Sequence, residues 1–182
     1  MVRSSFTMHA GAQLALSLAG LVAAVLAAVP FLPPFADEWL LLGVGIALLV
    51  PLHLATLVRA IAVGLRDMRF TSNKANQWRA LRALPRRVQA ALVGAGLTGA
   101  FLVTGVFWDD SGLQRVESVR GHYSAIDTSD PDRGRVSISR SQYEELRKDE
   151  QRIAFAAFGL FAAGGGGLTL LFGKLDSWAG RP

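Results

Sequence analysis

The chain has 182 residues, of which 51% are hydrophobic, and it carries a formal charge of +5 with no cysteine. Its mean hydropathy of +0.33 is too high for an ordinary soluble domain and indicates a membrane protein. The lack of cysteine excludes disulfides, thiolate catalysis, iron–sulfur clusters and cysteine-bound zinc. The basic residues lie beside apolar stretches, so they indicate membrane orientation rather than nucleic-acid binding.

Four apolar stretches are each long enough to cross the roughly 30 Å hydrocarbon core of a bilayer as a helix. They comprise residues 10–32, 40–58, 88–108 and 153–172. We therefore predict an all-α membrane protein, a single domain over residues 1–182 built as a four-helix transmembrane bundle. The first stretch is predicted to be a retained helix rather than a cleaved signal peptide, because its apolar run exceeds the usual signal core.

Small residues recur in the spans with the spacing that allows close helix approach. The first span has an alanine at every fourth position, and the fourth span has four consecutive glycines. The predicted packing positions are Ala15, Ala19, Ala23, Ala27, Ala95, Gly99, Gly164, Gly165, Gly166 and Gly167. Glycine costs about 1 kcal/mol relative to alanine inside a helix. The glycine run therefore predicts either tight helix packing or an unwound point that lines a cavity.

His53 lies in the second span, where an imidazole has two interpretations. It is either a neutral side chain hydrogen-bonded to Gln13 or Ser17, or a ligand in a haem or quinone site. A six-coordinate haem needs a second ligand at the same depth, and neither His9 nor His122 lies at that depth. We predict no cofactor, with His53 as the cofactor-binding residue if one is present.

The connection between the second and third spans, residues 59–87, has eight arginines and lysines against the single acid Asp67. Such a loop stays in the cytoplasm, which places both termini there as well, an N-in/C-in topology. In this loop Trp78 and Leu81 fall on one side of a predicted amphipathic helix. The residues predicted to contact anionic lipid headgroups or a protein partner are Trp78, Arg79, Arg82 and Arg86. A solvated basic loop is the alternative.

Residues 109–151 form the predicted extracytoplasmic cap between spans three and four. Residues 121–127 and 135–139 alternate as strands do, and the intervening Asp-Pro-Asp-Arg-Gly favours a turn, so we predict a small β-hairpin. Ser141 and Glu144 then have the spacing of a capping box. This predicts a helix that begins near Gln142 and continues into the fourth span.

The polar residues of the cap do not form a recognisable reaction or metal site. The segment Asp-Thr-Ser-Asp-Pro-Asp, residues 127–132, lacks the glycine and terminal glutamate of a calcium-binding loop. Ser124 or Ser137 with His122 lacks the sequence context of a nucleophile elbow. We therefore predict no metal site and no catalytic residue, and a protein that is not an enzyme.

An excess of helix-packing surface and a lack of catalytic pattern predict an accessory or assembly subunit. It would bind another membrane protein, or a second copy of itself, through its small-residue faces and its cap. The alternatives are an oligomeric channel or small-solute transporter and, third, a haem- or quinone-binding electron-transfer subunit. Abundant arginine, alanine and glycine suggest a bacterial source, so the predicted location is the bacterial inner membrane, whose anionic headgroups are a further partner.

Overall fold

The computed structural model describes residues 4–104, 112–129 and 134–179, and 76% of the structure is helical. The helices are α1 (Ser4–Ala27), α2 (Glu38–Arg66), α3 (Met68–Thr71), α4 (Lys74–Arg82), α5 (Arg86–Thr104) and α6 (Arg140–Ala179). The strands are β1 (Leu113–Val119), β2 (His122–Asp127) and β3 (Arg135–Ser137). α1, α2, α5 and α6 are long and apolar enough to cross a membrane, which confirms four predicted spans of that length and composition.

The helix ends differ from the predicted span ends for local reasons. α1 ends at Ala27 rather than near residue 32, because Pro30, Pro33 and Pro34 cannot continue a helix. α2 runs on to Arg66, well beyond residue 58, since the segment after Arg59 is apolar again up to Leu65 and contains no proline. Residues 105–108 of the predicted third span lie outside the described ranges.

α1 and α6 form the centre of the fold, with α2 and α5 on its flanks. α6 contacts α1, α2, α4 and α5. In their most apolar windows α1 and α6 are 39% and 50% buried, whereas α2 and α5 are each only 11% buried. The arrangement is therefore a central helix pair with two open flanking helices, more open than the bundle predicted from the hydropathy pattern.

α1 and α6 lie close together at two glycines that the spacing argument did not select. A Cβ on Gly20 would lie 3.1 Å from the Gly159 Cα, and a Cβ on Gly159 would lie 3.0 Å from the Ser17 carbonyl oxygen. Real Cβ atoms rarely come so near a neighbouring backbone, so both positions require glycine. The pair sets the distance between the two central helices.

The predicted alanine stripe of α1 is not its packing face within the chain. Ala15 and Ala19 are exposed and Ala23 is half-buried, so Ala27 alone of the four is buried. The buried face consists of Phe6, Ala10, Gln13, Ser17, Gly20, Leu21, Ala24 and Ala27. Counting small residues failed because two polar side chains and a leucine share this face with the glycine and the alanines.

The cap is a three-stranded antiparallel sheet in the order β1-β2-β3, not a two-stranded hairpin. β2 and β3 are the predicted hairpin strands, paired through Ala125 and Val136. β1 is additional, and Arg120 and Gly121 turn it into β2 with φ angles of 51° and 83°. Two consecutive positive φ angles are typical of tight hairpin turns. Residues 130–133, most of the other predicted turn, lie outside the described ranges.

The capping box of α6 lies two residues before the predicted one. The Gln142 backbone N–H donates to Ser139 Oγ at 3.2 Å, and the Ser139 backbone N–H donates to Gln142 Oε1 at 2.9 Å. This reciprocal pair is a Ser-x-x-Gln capping box, and the helix therefore begins at Arg140. Glu144, the predicted capping partner, instead accepts a 2.8 Å hydrogen bond from Arg140 Nε.

Candidate functional site

Three polar side chains from three helices meet in the interior of the fold. Gln13 of α1, Thr56 of α2 and Thr169 of α6 are all buried. Gln13 Nε2 donates to Thr56 Oγ1 at 3.3 Å, the two threonine hydroxyls lie 2.7 Å apart, and Thr169 Oγ1 donates to Gln13 Oε1 at 2.9 Å. Each threonine hydroxyl also lies within hydrogen-bonding distance of a carbonyl oxygen of its own helix, Leu52 at 3.0 Å for Thr56 and Gly165 at 2.9 Å for Thr169. We call this set of three side chains the polar ring.

The polar ring satisfies its own hydrogen-bonding groups and therefore works as a connector between helices. His9 lies beside it and donates from Nε2 to the Leu52 carbonyl oxygen at 2.7 Å, with Thr56 Oγ1 at 3.2 Å. In a hydrocarbon environment such interhelical bonds are typically worth about 0.6 to 2 kcal/mol each. The ring links α1, α2 and α6 in one register.

One interpretation predicted that His53 forms a hydrogen bond to Gln13 or Ser17. The structure shows a different partner. Its Nδ1 donates to the Leu49 carbonyl oxygen at 3.1 Å, and its ring stacks on Phe161 with 4.5 Å between centroids and 4° between planes. Its Nε2 faces Gly165, where an added Cβ would lie 2.5 Å away. This arrangement does not fit an axial haem ligand, because Nε2 faces the backbone at Gly165 and leaves no room for an iron atom.

A long apolar groove runs between α2 and α6, with a volume of about 950 Å³. Its α2 side extends from Leu42 to Ala60 and its α6 side from Ala154 to Phe172. His53 and Phe161 form part of its wall. We call it the α2–α6 groove.

The predicted packing residues of α5 and α6 have unequal surroundings. Ala95 packs against the core cluster near Leu102, and a Cβ on Gly99 would overlap the side chain of Leu160. Gly165 and Gly166 are buried, Gly167 is half-buried and Gly164 is exposed. α6 is continuous through all four glycines, so the run is not an unwound point.

At the other end of α6, its polar extension over residues 140–152 holds the α1–α2 connection. Arg147 donates to Glu38 at 3.3 Å and to the carbonyl oxygens of Phe35 and Ala36 at 3.2 and 3.1 Å. Gln151 donates to Glu38 and to the Phe35 carbonyl oxygen, and it accepts from the Phe35 N–H. We call these contacts the outer clamp.

The electrostatics of the outer clamp keep Arg147 charged. Partial burial acts to lower the pKa of its guanidinium. Glu38 and the Tyr143 hydroxyl act to raise the pKa, and together they outweigh burial, so the pKa lies above the usual arginine value. Lys148 next to it donates to the Val29 and Pro30 carbonyl oxygens at 3.3 and 2.6 Å. Both cations therefore satisfy backbone carbonyls that a non-helical connection leaves without partners.

The predicted contact residues of the basic loop are all exposed. Trp78, Arg79 and Arg82 lie on α4, and Arg86 begins α5. The Arg82 guanidinium lies 4.9 Å from the centre of the Trp78 ring. The opposite side of α4 is anchored, since Ala80 is fully buried and packs near Leu175 of α6.

Within residues 4–104, 112–129 and 134–179, no three His, Asp or Glu side chains come together as a metal site requires. Asp109, Asp110, Asp130 and Asp132 lie outside these ranges. Sequence reasoning missed Thr56 and Thr169 because a threonine in a helix can satisfy its hydroxyl on its own backbone. The one indication in the sequence was that each of these threonines lies in an otherwise apolar span.

The chain was compared with protein-family models, with curated proteins and with solved structures. No family model matches it, and no curated protein or solved structure matches it significantly.

Proposed function

We propose that this protein is a non-enzymatic accessory or assembly subunit of a membrane, and that it binds one transmembrane helix of a partner membrane protein in the α2–α6 groove. The observation that carries the proposal is the length of the groove. Leu42 and Ala60 are 18 residues apart on one helix, which is about 27 Å at 1.5 Å per residue. This is close to the roughly 30 Å thickness of the hydrocarbon core.

The lining of the groove suits a helix. Ala60, Ala154, Ala157 and Gly165 provide small side chains that let a partner backbone approach closely. A lipid acyl chain reaches only half of the bilayer, whereas one helix fills the groove from end to end. We therefore favour a helix as its occupant.

The groove continues toward the sheet. Leu42 and Ala154 line both the α2–α6 groove and a smaller cleft of about 370 Å³ beneath β1. That cleft also contains Arg115 and Glu150. A partner with a polar segment beyond its transmembrane helix would therefore contact the cap as well.

The orientation belongs to the same proposal. The basic residues of the segment from Arg59 to Arg87 favour a cytoplasmic position for α3 and α4, and thus cytoplasmic termini and an outward sheet. The composition favours a bacterial inner membrane. The channel alternative has less support, because the interior polar side chains bond to each other rather than line a path.

A photo-crosslinking residue placed in the groove tests the proposal. Leu54 is 57% exposed and lines the groove, while Leu48 is 53% exposed on another face of the same helix. With p-benzoylphenylalanine at each position in turn, in native membranes, we expect a discrete protein adduct from position 54 and none from position 48.

Filling the groove provides the second arm. Ala157→Trp should abolish the adduct and the co-purification of that partner, while Ala47→Trp, at an exposed position outside the groove, should leave both unchanged. Equal adducts at positions 48 and 54, lipid adducts alone, or an adduct that survives Ala157→Trp would refute a helix-binding groove.

A further inference from the structure

A second apolar groove, between α5 and α6, is shorter than the first. It has a volume of about 450 Å³, and its α6 wall runs from Leu160 to Leu171. Eleven residues correspond to roughly 17 Å along a helix, about the depth of one leaflet. Gly96 and Gly164 line it without side chains, which leaves the groove open at these positions. We call it the α5–α6 groove.

One end of the α5–α6 groove meets α4. Leu81 of α4 lines the groove. Trp78 lies three residues before Leu81 and four before Arg82, so it neighbours both side chains on the surface of the helix. Trp78 is 54% exposed and carries the Arg82 guanidinium over its ring. Tryptophan favours the boundary between headgroups and hydrocarbon. A cation therefore lies at the depth of the headgroups beside the groove opening.

The positive charge of the loop that contains α4 is not neutralised by acids within the described part of the chain. Six basic side chains of the loop are exposed and have no ion pair within the described ranges: Arg69, Lys74, Arg79, Arg82, Arg86 and Arg87. By contrast, Arg66 pairs with Asp176 at 2.6 Å. Asp67, the acid of the loop, accepts a hydrogen bond from the Phe70 N–H.

We propose that the α5–α6 groove and the exposed face of α4 together bind one anionic phospholipid. An acyl chain lies in the groove, and the phosphate lies against Arg82 with Trp78 beside the glycerol region. Charge complementarity selects an anionic headgroup, and the half-membrane length of the groove selects a chain from a single leaflet. Leu168 of α6 lines both grooves, but the lipid site does not depend on a partner helix.

Native mass spectrometry of the full chain in mild detergent tests this site. We expect one phosphatidylglycerol to remain bound under conditions that remove phosphatidylcholine of the same chain lengths. Arg82→Gln should weaken retention roughly fivefold, the effect of about one basic residue at an anionic surface. Arg69→Gln, which removes the same charge elsewhere in the loop, should leave retention within about twofold.

The groove is tested by filling it. A Cβ at Gly164 meets no atom within 4 Å, so Gly164→Leu should fold and should exclude the acyl chain, abolishing retention. Gly43 is equally open but lies on α2, outside the groove, and Gly43→Leu should retain the lipid. Thermal unfolding of both variants establishes that each is folded.

Three results would overturn the lipid site. Equal losses from Arg82→Gln and Arg69→Gln would show diffuse attraction to the loop. Full retention in Gly164→Leu would show that the groove holds no chain. Displacement of the lipid by glycerol phosphate at equal concentration would show recognition of the headgroup alone. The position-54 crosslink should persist in Gly164→Leu, so failure of either proposal is distinguishable from failure of the other.

Discussion

The glycines of the run in α6 differ in how much space is available for a side chain. A Cβ at Gly165 would lie 2.5 Å from His53 Nε2 and 2.8 Å from Gln13 Nε2, whereas a Cβ at Gly164 meets nothing within 4 Å. At Gly167 the nearest atom would be at 3.5 Å, an ordinary contact. The glycine at 165 thus makes room for His53, and its neighbours are less constrained.

Gly165→Ala should destabilise the protein, because the new methyl group overlaps two polar side chains in a packed interior. We expect a loss of about 1 to 3 kcal/mol, seen as a lower thermal midpoint in detergent. The matched control is Gly164→Ala, which should be neutral or slightly stabilising, since alanine favours a helix by about 1 kcal/mol over glycine.

A second substitution identifies the cause. His53→Ala removes the side chain that the new methyl group would meet, so the double variant Gly165→Ala/His53→Ala should lose less stability than the sum of the two single variants. Strict additivity would contradict the assigned contact between His53 and Gly165.

The polar ring could not be predicted in detail from the sequence. Gln13 and Ser17 stood out as polar residues of the first span and candidate partners of His53, and both are buried. The partners of Gln13 are 43 and 156 residues away, and no local pattern encodes such pairings. His53 was prominent as a lone histidine in an apolar span, but its bonding partner is a carbonyl oxygen four residues earlier in its own helix.

At the scale of elements, the sequence before α6 contains two possible capping boxes. Both Ser139-x-x-Gln142 and Ser141-x-x-Glu144 have capping-box spacing, and the structure uses the first. Ser141 instead lies inside the first turn, with its Oγ 3.0 Å from Ser139 Oγ. Spacing alone could not choose between them.

Ser139→Ala should therefore fray the first turn of α6. Removing a serine cap costs about 0.5 to 2 kcal/mol, so the backbone amides of residues 140–143 should exchange faster in hydrogen-exchange mass spectrometry. Ser141→Ala is the control and should change exchange little. Faster exchange in Ser141→Ala than in Ser139→Ala would reverse the assignment.

The four long helices were predictable because their apolar runs exceed what a soluble fold uses, and hydropathy is a property of composition. β1 was not predictable, because Gln114, Arg115 and Glu117 interrupt the alternation expected of a strand. The strand contains a bulge there, and Arg115 has a φ of 53°. Bulges break the two-residue period that strand prediction depends on.

At the scale of the whole molecule, α6 determines where the other elements lie. It holds α1 through Gly159 and Thr169, and it holds the α1–α2 connection through the outer clamp. Sequence analysis anticipated one helix extending from the cap through the membrane. It did not anticipate that the extension would bind residues 29–38.

Arg147→Met should loosen this connection, because it removes the ion pair to Glu38 and two bonds to backbone carbonyls. We expect a loss of about 1 to 3 kcal/mol and faster hydrogen exchange in residues 29–38. Arg140→Met removes an exposed pair with Glu144 and should change the stability little, with exchange at residues 29–38 unchanged. Unchanged exchange in Arg147→Met would show that Gln151 and Lys148 hold the connection without it.

The pairing of α1 with α6 also has a consequence for the synthesis and membrane insertion of the protein. Thr169 is made 156 residues after Gln13, which at ribosomal speeds of about 5 to 20 residues per second is a delay of roughly 8 to 30 s. During that interval the nascent α1 carries an amide and the notch at Gly20 with no α6 to cover them. We expect the insertion machinery, or another helix made early, to cover that face of α1 until α6 has been synthesised.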